Sequence, residues 1–168
     1  REIDRDRRYI RRSLSADEVE GLVRVATRRG PERLAWYLGG LLAGLRRGDL
    51  EHLKWEDVNL DARTITISKG KAKRVDVIPM HERLWTCLMS IKPAGIAAGV
   101  VFVEPVTHRQ RRADFEAAGI KAKDERGRVA DLHALRSTLA TALARNGAGI
   151  EVTQSILRHA DYRTTQRS

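Results

Sequence analysis

Four short stretches of the 168-residue chain bring cations and imidazoles together in patterns suited to holding an anion. In His133-Ala134-Leu135-Arg136 an imidazole and a guanidinium stand three residues apart, which puts them on one face of a helix. Side by side they repel once the histidine is charged, and an anion held between them removes the objection. Gly44-Leu45-Arg46-Arg47-Gly48-Asp49-Leu50 offers an arginine on a tight turn. Ser68-Lys69-Gly70-Lys71-Ala72-Lys73-Arg74 is a lysine-rich turn, and Leu157-Arg158-His159-Ala160-Asp161 holds a second histidine beside an arginine. Each stretch is weak alone: an isolated H-x-x-R pair is ordinarily a surface histidine and arginine with no role.

The elements that must position these residues are legible from caps and periodicity. Ser15-Ala16-Asp17-Glu18 is a capping box, so a helix is expected from there to about Arg29. Gly30 breaks it and Pro31 suits the first turn of the next helix, which carries Trp36, Leu38, Leu41 and Leu42. That helix is apolar on most sides and is expected to be central. The Gly44–Leu50 stretch ends it and opens a short helix through Leu53. Thr64–Ile67 and Val75–Ile78 then switch to a β period, with the basic turn between them and Pro79 closing the second strand. Helices are expected again at about His81–Ile91, Thr107–Ala118 and Leu132–Arg145, the last closed by Asn146-Gly147. Val100–Val103 reads as a short extended piece and residues 121–128 as a polar loop. A further helix is expected near Glu151–Leu157 and a short one from about Asp161.

Composition sets the class. Hydrophobic residues make up 42% and charged residues 32%, a globular balance for one domain. No apolar run approaches the roughly 20 residues of a membrane span, and Arg1-Glu2-Ile3-Asp4-Arg5 has no signal-peptide character. The missing initiator methionine leads us to expect a fragment. Cys87, the only cysteine, lies among Leu84, Trp85 and Leu88 and is expected in the core. With no intrachain disulfide possible, a reducing cytoplasm is the expected location. His52, His81 and His108 lack partners at metal-ligand spacing, and Gly39-Gly40 follows no phosphate-loop pattern, so neither a metal nor a nucleotide cofactor is expected. The net charge of +10 attracts polyanions, although charge alone does not separate DNA from RNA or an anionic membrane. Residues Arg1–Arg12 hold six arginines and three acids. We read 1–14 as a basic linker or arm and 15–168 as the domain.

In order and spacing the four stretches resemble the catalytic domain of the tyrosine-recombinase (phage integrase) family. That family carries an arginine in a G-L-R-x-x-E-like segment, a lysine on a β-hairpin, H-x-x-R on a helix and then a second histidine. Here Arg46 precedes Lys69 by 23 residues and Arg136 precedes His159 by 23. Leu53-Lys54-Trp55-Glu56-Asp57-Val58 is similar to the family's L-x-W-x-D-I, and Leu135-Arg136-Ser137-Thr138-Leu139-Ala140-Thr141 to its L-R-H-T-F-A-T. The resemblance implies a mainly helical α+β fold with a small antiparallel sheet. It also implies metal-free DNA cleavage and rejoining through a 3′-phosphotyrosine. Arg46 and Arg136 would then meet the charge on the nonbridging phosphate oxygens, since each fork donates paired N–H groups. Lys69 would be the general acid, with Lys71 and Lys73 as neighbouring alternatives. His133 would be a proton-transfer partner or phosphate donor, and His159 would hydrogen-bond the phosphate. Lys71, Lys73, Arg74 and Arg158 would contact DNA. The implied partners are double-stranded DNA, an N-terminal core-binding domain of the same protein, and further copies forming a homotetramer on synapsed sites.

Three positions depart from the family pattern. Asp49 stands where glutamate is usual, a shorter acid that can still support Arg46. Arg158 replaces the glycine before His159. The nucleophilic tyrosine, normally nine or ten residues beyond that histidine, is missing: Ser168 stands at nine, and Tyr162 is too near to serve. The expectation is a tyrosine just beyond Ser168, so that the chain as it stands binds DNA without cleaving it. A non-catalytic DNA-binding module of the same fold is the alternative. A basic RNA-binding domain gives no reason for the ordered set.

Overall fold

Local signals in the chain become caps in the structure. The computed structural model describes residues 10–69, 74–149 and Leu157. Ser15 Oγ accepts from the Glu18 N–H at 3.2 Å, and Glu18 Oε2 accepts from the Ser15 N–H at 2.9 Å. These reciprocal bonds satisfy two of the amides that a helix start leaves without partners, and α1 runs Ala16–Arg29. Helix α2, Pro31–Ala43, begins on its proline. It is buried from Ala35 to Leu41, as its all-round apolar sequence requires, and packs against α1, α4 (Glu82–Ile91) and α6 (Leu132–Arg145). Between them come α3 (Arg47–Glu51) and α5 (His108–Ala117), the latter with a Thr107/Gln110 capping box.

The hairpin expected around the basic turn is present and extends further than its sequence suggested. Strands β2 (Thr64–Lys69) and β3 (Arg74–Pro79) pair antiparallel, Ile65 opposite Ile78 and Lys69 opposite Arg74. Ile65, Ile67 and Ile78 point into the core, while Val75 and Val77 face outward. Pro79 still belongs to β3, as the last residue paired with Thr64. A third strand, β1 (Val58–Asn59), flanks β2. Two residues are too few to show a period of two, so no sequence signal marked it. The small antiparallel sheet, in the order β1-β2-β3, sits in the chain between α3 and α4, an α+β layout.

The core joins the two halves of the chain. Trp36 meets Phe102 edge to face at 5.2 Å between centroids. Asp114 is 1% exposed, and its carboxylate accepts from Arg33 Nη1 at 2.6 Å and from the Tyr37 hydroxyl at 2.8 Å. Burying a carboxylate is tolerable only with such partners, and the burial pushes the Tyr37 phenol up. Cys87 is partly buried against the core, and the same loss of solvent raises its thiol. Among the described residues no helix is long and apolar enough to cross a membrane. The helices expected near 151–157 and from 161 fall outside the described residues apart from Leu157, which is fully buried.

Candidate active site

Helix α6 stages the H-x-x-R pair. Asp131 caps it, Oδ1 accepting from the His133 N–H at 2.8 Å and the Ala134 N–H at 3.3 Å. One turn on, Leu135 lies against α2 at Gly40, where an added Cβ would sit 2.7 Å from Leu135 Cδ1. A larger residue there would force the Leu135 side chain to shift, so glycine suits this close approach. The close approach carries Arg136 into the interior, where it is 6% exposed. A buried guanidinium must be satisfied: Nη1 donates to the Gly44 carbonyl and Nη2 to the Leu157 carbonyl. Arg136 therefore ties α6 to the end of α2 and to the segment containing Leu157.

The Gly44 turn delivers the second arginine. Gly44 adopts a left-handed conformation, φ 58°, at the end of α2, the geometry that favours glycine beyond a helix C-terminus. The chain then extends through Arg46, which is half-buried and caps α3. Asp49 accepts from the Arg46 backbone N–H at 2.8 Å, so the shorter acid supports Arg46 through its main chain. The adjacent Arg47 is turned the other way. Its Nε donates to Glu51 at 2.6 Å, and its Nη1 lies 2.6 Å from His108 Nε2 on α5. Of the two consecutive arginines, Arg47 is committed to α3 and α5.

His133 is exposed and stands in a positive field. Its pKa is lowered from the ordinary imidazole value, first by partial desolvation of the ring, then by the charge of Arg11. Asp131 opposes the shift, and Arg136 and Arg46 add to it. Arg136, one turn from His133 on α6, bonds the carbonyl of Gly44, two residues before Arg46, so the two segments that carry these cations meet although they stand 90 residues apart in sequence. The Arg46 fork and the imidazole can donate hydrogen bonds to a phosphate, and the Arg136 N–H groups not spent on the Gly44 and Leu157 carbonyls can add to them. The lowered pKa has a linked consequence. Between the folded midpoint and the higher unfolded one, the unfolded chain binds more protons, so this group's contribution to stability is lost as pH falls through that window. In an NMR titration the His133 midpoint is expected below that of an unstructured histidine peptide, and to rise when inorganic phosphate is added. A midpoint at or above the peptide value would remove the positive field from the account.

Of the other sequence-derived candidates, Lys69 ends β2 opposite Arg74 at the start of β3. Lys71, Lys73, Arg158, His159 and Ser168 lie outside the described residues. Two participants escaped the sequence reading. Asp131 had a usable signal, an N-cap acid just before an apolar-periodic run. Arg11 had none, being one arginine within a charge run. Its Nε donates to Asp131 Oδ2 at 3.1 Å.

Comparison with known proteins agrees with this arrangement. Residues 12–167 match the phage integrase family. Tyrosine recombinase XerA of Pyrococcus horikoshii is 31% identical over 160 residues, covering 92% of this chain and 55% of that protein. The chain spans a little over half the length of such relatives. The crystal structure of XerA recombinase superposes with a TM-score of 0.77 at 29% identity, over 92% of this chain and 58% of that one. The catalytic domain of bacteriophage HP1 integrase superposes at 0.74 and 22% identity, over 94% of this chain and 86% of that one. The Tn1549 transposon integrase, solved in complex with transposon right end DNA, superposes at 0.70 and 19% identity, over 96% of this chain and 62% of that one. Shared sequence across nearly the whole chain and a shared catalytic-domain fold place it in a family: the chain belongs to the phage integrase family.

Proposed function

We propose that the chain is the catalytic domain of a site-specific DNA recombinase that cleaves and rejoins strands without metal, through a 3′-phosphotyrosine. The observation that carries this reading is the bond from Arg136, on the helix that bears His133, to the Gly44 turn that leads into Arg46. In the proposed reaction the two guanidiniums neutralise the nonbridging oxygens as charge builds on them. His133 donates to the phosphate or relays a proton. Lys69, at the mouth of the hairpin turn, protonates the leaving 5′-oxygen, with Lys71 or Lys73 as alternatives. His159 completes the phosphate contacts, and Lys71, Lys73, Arg74 and Arg158 hold the flanking backbone. Duplex DNA is the partner in this reading, supported by the Tn1549 integrase of the same fold, which was solved in complex with transposon right end DNA. A core-binding domain N-terminal to this one and assembly as a tetramer on paired sites complete the proposal.

The nucleophile is the tyrosine that would follow His159 at family spacing. Ser168 stands at or next to that position and, if it occupies it, is a poor substitute. Its side chain is too short to reach the same phosphate, and an alkoxide leaves far less readily than a phenolate in religation. The same residue is what favours the second reading, a DNA-binding module that retains the fold and does not cut. Two measurements test the proposal. Affinity for duplex DNA should fall linearly on a log–log plot against salt, with a slope near −0.9 for each phosphate neutralised. A flat response would refute the duplex-binding part. On a nicked suicide substrate the chain should form no covalent adduct, whereas a chain extended by its native C-terminal sequence should form one. An adduct from the chain itself would overturn the assignment of the nucleophile, and none from the extended chain would favour the non-cutting module.

A further inference from the structure

The segment that enters the domain is laced to the helix bearing the candidate site. The Val129 N–H donates to the Ile10 carbonyl at 2.9 Å, and the Arg12 N–H donates back to the Val129 carbonyl at 3.1 Å. Arg12 grips Glu18 with both Nη atoms, at 2.6 and 2.7 Å. Ser13 Oγ donates to the Ser137 carbonyl at 3.1 Å, and the Leu14 N–H donates to Thr138 Oγ1 at 2.8 Å. Residues 10–14 therefore run along α6, with Leu14 buried at 6% exposure. Within this strap only Arg11 reaches the start of α6, where its Nε bonds to Asp131, the residue that caps His133.

We propose that Arg11 is a positioning residue for the candidate site: held on Asp131, it fixes the first turn of α6 and the charge surrounding His133. The proposal rests on the phosphate-site reading of His133 and adds the segment preceding the domain to what sets that histidine. Asp131 serves both sides of the contact. One oxygen caps the helix and the other accepts from Arg11, so the arginine limits how far the carboxylate can turn toward the ring. Among the described residues the charged groups that act on His133 are Arg11 from the strap, Asp131 from the cap, Arg136 from α6 itself and Arg46 from the Gly44 turn. Arg11 and Asp131 act in opposite senses, and an exposed ion pair of this kind adds little to stability. Removing Arg11 should therefore change the electrostatics of the histidine without unfolding the chain.

The test is an NMR titration of the His133 ring in the whole chain, in buffer without phosphate, assigned with H133Q. R11Q should shift the midpoint upward, because a nearby cation is lost and the Asp131 carboxylate is released toward the ring. R11K keeps the charge and should hold the midpoint close to that of the wild type. D131N should shift it downward. A purely structural strap would change the melting temperature in R11Q and leave the midpoint in place, and an unmoved midpoint overturns the proposal. Adding inorganic phosphate to the wild type reads the other question. If phosphate fails to raise the midpoint, the anion-site reading suffers while the Arg11 result stands on its own.

Discussion

Replacing Arg136 with alanine should both weaken the fold and abolish most cleavage, the largest combined effect expected of any single change in the site. The guanidinium is buried and satisfies the Gly44 and Leu157 carbonyls together. Its loss strands two buried acceptors, each worth about 1–3 kcal/mol, so a cost of about 2–4 kcal/mol is expected once some relaxation is allowed. A urea unfolding curve reads this as a lowered midpoint with an unchanged slope. Lysine should rescue only part of it, because one ammonium on a flexible stem does not reproduce a fork spanning two carbonyls. In a complete recombinase the same change should reduce strand cleavage by about 10²–10³ or more, since a donor to the developing charge is lost along with the geometry that holds the Gly44 turn. Wild-type stability in the alanine variant would mean that Arg136 does not clamp the turn.

Arg46→Ala should separate chemistry from folding. The Asp49 bond that caps α3 is made by the Arg46 backbone N–H and survives the substitution. Arg46 is only half-buried, and stability should change by less than about 1 kcal/mol. Cleavage of a suicide substrate by a complete recombinase should nevertheless fall about 10²–10³-fold, with a much smaller loss of duplex affinity. The reason is that charge accumulating in the transition state draws on this donor more than the ground-state phosphate does. Equal losses of binding and cleavage would reduce Arg46 to an ordinary phosphate contact. The neighbouring Arg47→Ala is the natural control, because Arg47 is already engaged by Glu51 and His108.

Much of the fold was legible because its signals are local. The Ser15 capping box, Pro31 at the start of α2, the period-two runs of the hairpin and the Asn146-Gly147 stop each act within a few residues; the helices begin and end where those signals stand, and the strands run one or two residues further. Strand β1 was not legible: two residues show no period, and Val58–Asn59 becomes a strand only by pairing with Ile65 and Thr64. Resemblance in the order of Arg46, Lys69, His133, Arg136 and His159 supplied the candidate site as a set of names without geometry.

By itself, then, the chain's sequence determined where helices start and stop, where the hairpin lies, and which cations could serve one phosphate. Tertiary structure decided where those cations sit and what they touch. Resemblance chose Arg46 over Arg47, but sequence does not say what engages Arg47, nor whether Arg136 is exposed or buried. Packing makes that choice, because the absence of a side chain at Gly40 lets α6 close on α2, and a guanidinium carried inside must then find the Gly44 and Leu157 carbonyls. Arg11 is the extreme case. Within a run of arginines it has no distinguishing mark, and its place beside Asp131 follows from a strap that meets α6 about 120 residues further along the chain.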